Sequence, residues 1–402
     1  MFVNSCSANS LLQTEARTVR SLVIVAFTPP MLYFARRVRS AGVRVHLVEM
    51  VHSPRAFVRP SNAVEAGGLV LLWPAVDTEQ GLAAIQRFVE SVDASALIAS
   101  DDSLLSWLGR NRARFEPRCK VAAPEPAALE SLWNKAHQVD RAAQSGFDLL
   151  PGWSIASRQD IDAIPAHAFP VVIRPVLSSS ALPFFKARVL RTRNGLHDFY
   201  AATRWTHPPI VQRFCLGPNY VLHGTRSETG EILALRLFLA YRKYAGFTTS
   251  MCSIPLPAEL AAAARTFVDA ENLVGPFHFE LLGCEADSTL YFLEINCRLG
   301  GTTGKATQLG YDEPGLLLQA YGLKTPGALP EVPVYSQTTT LSLNLSQAFN
   351  DLFRRPDPLA YPQMPRLHSF FAALKEALLV NDGRLDFNDP ISLIRYLGWN
   401  RG

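Results

Sequence analysis

Lysine is scarce in this chain. It stands only at Lys120, Lys135, Lys186, Lys243, Lys305, Lys324 and Lys375, so most of the 39 lysines and arginines are arginine. A lysine inside a motif is correspondingly less readily there by chance. Net charge is also small, +4 over 402 residues, and the basic field of a nucleic-acid or membrane-surface binder is missing. No segment is apolar for long enough to span a bilayer. The polar stretch Met1 to Arg20 lacks the apolar centre of a secretory signal. Cys6, Cys119, Cys215, Cys252, Cys284 and Cys297 include no close metal-ligand pair, and their scatter suggests no disulfide framework. Several lie in apolar runs, where a free thiol behaves as a small core residue, so a reducing, cytoplasmic compartment is expected. No glycine-rich turn follows the first apolar strand. Ala26-Phe27-Thr28-Pro29-Pro30 stands there instead, which argues against a dinucleotide site.

What is present is a globular composition, 48% hydrophobic and 18% charged, too apolar for a disordered chain and long enough for two or three cores. Leu22 to Ala26, Val43 to Val48, Leu69 to Leu72 and Ala96 to Ala99 read as short buried strands. Helical stretches at Met31 to Ala41 and Leu82 to Val92 separate them, the pattern of a parallel sheet covered on both faces. One helix is expected from Pro126 to Ser145, ended by Gly146 and Pro151-Gly152. Antiparallel character follows, with strands at Val171 to Arg174, Lys186 to Leu190, Pro209 to Phe214, Tyr220 to Gly224 and Ile232 to Ala240. An alanine-rich helix runs from Pro257 to Glu271. The tail from Pro326 is rich in proline, with helices expected near His368 to Leu379 and Ile391 to Leu397.

Two runs carry the chemistry. Phe277 to Leu282 and Leu290 to Asn296 fold as a hairpin about Asp287, which places Glu280 opposite Glu294. Strand alternation puts Asn296 on the Glu294 face. Two carboxylates facing each other across a ladder repel. A hard cation between them resolves the conflict, and Mg²⁺ is the usual ion when phosphates supply the remaining ligands. The alternative is a solvated hairpin face whose charges never meet.

Taken in order, Lys135, the block Phe169 to Pro175, the strand at Gln212, Glu280 and Glu294-Ile295-Asn296-Cys297-Arg298 resemble the ATP-grasp superfamily. The resemblance covers about Leu22 to Leu323. It implies a parallel-sheet α/β domain (20–124), then a two-lobed α+β ATP-grasp domain with a small lobe (125–213) and a large lobe (214–325). A C-terminal extension (326–402) follows, which either closes the site or builds a homodimer face. It further implies ATP between the lobes and Mg²⁺, with Mn²⁺ as the alternative ion, held by Glu280, Glu294 and Asn296. Lys135, Arg174 and Lys186 would meet phosphates. The hinge residues Gln212, Arg213, Phe214 and Cys215 would offer backbone groups to adenine, and Asn219 would meet the ribose. Arg298 would touch the γ-phosphoryl group in flight or the substrate carboxylate, and Arg174 the α- and β-phosphates, which makes these two the candidate catalytic residues.

The implied activity joins a small-molecule carboxylate to an amine through an acyl phosphate, with no nucleic acid or membrane partner. Nucleotide binding without catalysis is one alternative, because Leu177 to Leu182 holds no glycine where the family has a glycine-rich flap, and a small-molecule kinase on the same scaffold is another. Gly300 to Ala306 is no Walker loop, since residue 299 is leucine and residue 306 alanine. It reads as pocket lining or connector. Arg242 and Lys243 read as a solvated basic corner, and Asp101 and Asp102 as helix caps.

Overall fold

The computed structural model describes residues 17–74, 77–177, 179–244, 246–328, 337–353, 358–380, 386 and 388–392. The first sheet has five parallel strands in the order Leu69–Leu72, Arg44–Val51, Ser21–Val25, Ala96–Ala99, Lys120–Val121. Ser21–Val25 and Ala96–Ala99 are buried at every position, as a sheet between helical layers requires. The helix Glu79–Ser91 starts at Thr78, whose Oγ1 accepts from the Gly81 N–H at 3.0 Å. Strand order reverses around Ser21–Val25, and open sheets of this kind bind ligands outside the strand ends at that point. Asp101 and Asp102 stand on that rim, directly after Ala96–Ala99.

A second sheet has four antiparallel strands, Arg188–Leu190, Val171–Arg174, Ile210–Arg213 and Gly152–Ser154. The third has seven, in the order Thr338–Thr339, Phe247–Ile254, Ile232–Tyr244, Asn219–Arg226, Gly275–Gly283, Leu290–Asn296, Asp148–Leu149. On one face of this sheet Phe277, Phe279 and Phe292 are wholly buried against Phe147 and Phe267. Each such ring contributes about 1.5–3 kcal/mol by burial. The alternation that sends Phe277 and Phe279 into this core sends His278 and Glu280 to the other face.

Several expectations are corrected. The stretch Pro126 to Ser145 is two helices, Pro126–Ser131 and Lys135–Gln144. Asn134 separates them, because its side chain accepts from the Ala136 and His137 N–H groups and starts a new helix. The cysteines are not all free: Cys215 is disulfide-bonded to Cys284, with Cα atoms 5.7 Å apart. Their separation of 69 residues hid the pair, which only the adjoining hinge and sheet bring together. Arg242 is no solvated corner. It is buried and donates to the Ser369 carbonyl at 3.2 Å, because the helix Arg366–Leu379 covers it.

The tail contributes Thr338–Thr339 to the large sheet and two helices, Leu341–Phe353 and Arg366–Leu379, packed on each other. Farther on, Asp389 accepts from Arg36 Nε at 3.0 Å and from the Asn62 N–H at 2.8 Å, tying the tail to the first domain. Most of the helix expected over Ile391 to Leu397 lies outside the described residues. No described helix is long and apolar enough to cross a membrane.

Candidate active site

Glu280 lies directly opposite Glu294, and His278 opposite Asn296. The route to this register differs from a symmetric hairpin. The ladder pairs Leu281 with Phe292 and skips Leu293, a bulge that lets Phe292 and Ile295 both reach the core. Asn296 Nδ2 stands 3.5 Å from Glu280 Oε1, at the limit of a hydrogen bond. All three side chains share one face of the sheet, with Glu294 only 12% exposed.

Cations converge on this face. Lys135, in the first turn of its helix, forms an ion pair with Glu294. Its own N–H donates to the Val176 carbonyl at 3.1 Å, which ties that helix start to the end of the strand carrying Arg174. Arg174 is buried, donates Nη2 to the Leu293 carbonyl at 3.1 Å, and leaves Nε without a hydrogen-bond partner. The bulge is what presents that carbonyl. Burial pushes the Glu280 carboxyl up, and neighbouring Glu294 adds to the effect. Burial acts the same way on Glu294, but Lys135 and Arg174 outweigh it and hold Glu294 well below the usual carboxylate range. The pair is thus split, one carboxyl easily ionised and the other reluctant, as two like charges in one site must be.

The donor set fits a hard divalent cation: two carboxylates and a carboxamide oxygen. Among the described residues no three His, Cys, Asp or Glu side chains gather as a metal cluster. A cation here would therefore take its remaining ligands from a bound anion. The unpartnered Nε of Arg174 suits such an anion, since a buried guanidinium without a partner is costly. Lys186 approaches from the other side. Its Nζ donates to the Gly246 carbonyl at 3.4 Å and lies over the Phe247 ring, and its charge is felt at Glu280.

The glycine-free flap is held down. Ser180 is wholly buried and donates to the Leu177 carbonyl at 2.8 Å, and Ala181–Leu182 pairs with Arg204–Trp205. Ser178 lies outside the described residues. In the hinge, Gln212 is buried between Val172 and Gly152, and the Phe214 N–H donates to the Pro170 carbonyl. Arg213 reaches Asp287 at 3.2 Å, so Asp287 anchors the hinge as well as forming its turn. Asn219 Oδ1 accepts from Lys243 Nζ at 2.8 Å. Behind the hinge, the Glu285 N–H donates to the Leu216 carbonyl, and the Gly283 carbonyl fills the space a side chain on Gly217 would need.

Arg298 does not stand alone. Its Nε donates to Asp102 Oδ2 at 2.9 Å. Burial pulls the guanidinium down, but Asp102 outweighs it and raises Arg298 above its usual value. Asp101 is the helix cap, accepting from the Leu104 N–H at 3.0 Å. Asp102 is freed for Arg298, a role not read from the sequence. Gln138 was also missed. It is buried, accepts from the Ile295 N–H at 3.1 Å and donates to the Ile295 carbonyl at 3.2 Å. A side-chain amide thus replaces a neighbouring strand where Asp148–Leu149 stops pairing. The only sequence signal was its position one turn after Lys135. Gly300 to Ala306 is neither loose connector nor Walker loop, since Thr303–Gln308 is a helix and Gly304 lies against the Tyr33 ring.

No family model matches the sequence, and no curated protein matches it. Solved structures do. An L-amino acid ligase from Bacillus licheniformis aligns with a TM-score of 0.57 at 15% identity, over 78% of each chain. The ADP complex of an N5-carboxyaminoimidazole ribonucleotide synthetase aligns at 0.59 and 13%, over 89% of this chain and 97% of the other. Biotin carboxylase from Campylobacter jejuni, in complex with a β,γ-ATP ligand, aligns at 0.59 and 15%, over 78% and 72%. At these identities the likeness is one of fold, and the chain has the ATP-grasp fold that its motifs resemble.

Proposed function

We propose that this protein is an ATP- and Mg²⁺-dependent ligase that joins a carboxylate to an amine through an acyl phosphate, releasing ADP and phosphate. One observation carries the reading: two opposed carboxylates and a carboxamide share a sheet face onto which Lys135 and Arg174 converge. Phosphoryl transfer asks mainly for positioning and charge neutralisation, and this is a site of that composition. Glu280, Glu294 and Asn296 would hold Mg²⁺. Bound there, the ion would screen the triphosphate and orient its γ-phosphate. Lys135, Arg174 and Lys186 would neutralise the non-transferred phosphates. Arg298, fixed by Asp102, would hold the planar oxygens of the phosphoryl group or the substrate carboxylate. Hinge backbone from Gln212 to Cys215 would meet adenine, and Asn219 with Lys243 the ribose. The neighbours described as an amino acid ligase, a carboxylase and a synthetase support the reaction class but name no substrate for this chain.

The experiment is phosphate release from ATP over a panel of acids and amines. Acid-dependent release is expected, reduced by at least about a thousandfold in Glu294→Ala. ATP cleavage that survives this substitution would refute the metal assignment. A second reading, nucleotide binding without turnover, is favoured by the pinned, glycine-free flap. Calorimetry separates the two, because Mg-ATP binding with no turnover over the whole panel selects the second.

A further inference from the structure

Ligation needs one more group than the cleft residues supply. An amine is protonated near neutral pH and must lose a proton before it can attack. Lys135, Arg174, Lys186 and Arg298 are cations, and Glu280 and Glu294 are committed to the metal reading. A base has to come from elsewhere.

His223 lies on the strand Asn219–Arg226, in register with His278 on the neighbouring strand. Its ring is wholly buried, and both nitrogens are engaged. Nδ1 meets Glu313 Oε1 at 2.9 Å, and Nε2 meets Thr302 Oγ1 at 2.9 Å. Glu313 is wholly buried too, and its second oxygen has no hydrogen-bond partner. In the tautomer that donates Nδ1–H to the Glu313 carboxyl, the Nε2 lone pair receives the Thr302 hydroxyl. This is the hydroxyl–imidazole–carboxylate order in which, on several unrelated folds, the imidazole takes the hydroxyl's proton. A buried carboxylate–imidazole pair also costs desolvation that an apolar pair would not, so stability alone is a poor reason to have one.

Its place is what connects it to the reaction. Thr302 follows Arg298 by one short loop. The His223 ring stacks on His278, centroids 5.3 Å apart and planes 20° apart, and His278 stands opposite Asn296. His278 also presses on Gly300, where a side chain would collide with its ring. Between Gly300 and Thr302, Gly301 is exposed, with open space where a side chain would go.

Building on the ligase reading, we propose that Thr302, His223 and Glu313 form the proton relay for the incoming amine. The N–H bond of the ammonium breaks as an O–H bond forms on Thr302. The original Thr302 proton passes to His223 Nε2, and Glu313 stabilises the imidazolium. The neutral amine then attacks the acyl phosphate, the departing phosphate takes the second N–H proton, and the imidazolium returns its proton through the Thr302 hydroxyl.

Two nucleophiles test this. Hydroxylamine is already uncharged near neutral pH and needs no base, whereas ammonium does. Proteinogenic amino acids serve as acids with Mg-ATP. Hydroxamate is read by its ferric colour, and amide by mass spectrometry. Thr302→Val and His223→Gln are expected to lose amide formation about a hundredfold or more while keeping hydroxamate formation within a few-fold. Thr302→Ser is expected to restore the amide. Thermal unfolding of each variant checks the fold. Equal loss with both nucleophiles, or no loss with either, overturns the relay alone. Wild-type protein that gives no hydroxamate with any acid overturns the ligase reading, and the relay with it.

Discussion

Arg298 Nε donates to Asp102 Oδ2 at 2.9 Å, a bond from just past the strand that carries Glu294 and Asn296 to the rim of the first parallel sheet. It makes the first domain part of the site. Both side chains are about one-third exposed, 29% and 32%. Solvent screening therefore limits the contribution of the pair to stability to about 1 kcal/mol or less. Its effect on geometry is larger. Asp102→Ala is expected to leave thermal unfolding almost unchanged while lowering acid-dependent phosphate release by about 10–100-fold, the scale on which outer partners tune a site. Unfolding and turnover measured on one preparation check this, and an equal fall in both would contradict it.

Gln138 holds the outer edge of the strand that carries Glu294 and Asn296. Gln138→Leu would leave the Ile295 N–H and carbonyl buried without partners, at a cost of about 1–3 kcal/mol. Denaturant unfolding reads that loss. Mg-ATP affinity by calorimetry is expected to weaken with it, because the strand between Glu294 and Asn296, the proposed metal ligands, loses its support.

The tail's hold on the first domain depends on pH. Burial pushes the Asp389 carboxyl up, but hydrogen bonds from Ser61, the Asn62 N–H and Ser392, with Arg36 nearby, bring it below the usual aspartate range. A depressed folded value means stability that is present above the ordinary aspartate pKa and lost as pH falls through the folded one. Asp389→Asn is expected to lower stability at neutral pH by about 1.5–3 kcal/mol, the worth of hydrogen bonds to a charged group. The gap from wild type should close in acid. A gap that stays constant across the titration would contradict the assignment.

The bond between Cys215 and Cys284 closes a loop spanning 69 positions. Chain-entropy reasoning for a loop of that size gives about 4 kcal/mol. Reduction is expected to lower the denaturant midpoint accordingly. Because Cys215 lies in the hinge, reduction should also weaken ADP binding. The double variant Cys215→Ser, Cys284→Ser should match the reduced protein and no longer respond to reductant.

The hairpin was legible because its signal is local. A period of two and a polar turn at Asp287 place Glu280 across from Glu294 without any knowledge of the rest of the chain. The register nonetheless arrives through a skipped Leu293, and no count along the sequence shows that. It follows from Phe292 and Ile295 both needing the same core. The parallel sheet was legible for a similar reason, since short apolar runs between helical stretches leave few alternatives. Less was visible at 126–145, where the capping side chain of Asn134 splits a stretch whose helix propensity is continuous.

The sequence by itself determined which segments become strands and helices, and which carboxylates share a face, because these depend on neighbours a few residues apart. Only tertiary structure decided what each charge meets. Asp102 finds Arg298 and Gln138 finds Ile295. His223 takes Glu313 and Thr302, and Cys215 takes Cys284. These partners are far apart in the chain, and each pairing is selected by the cost of leaving a polar group buried alone or by shape closing two distant segments together. That cost arises only when separate elements exclude water from the same place.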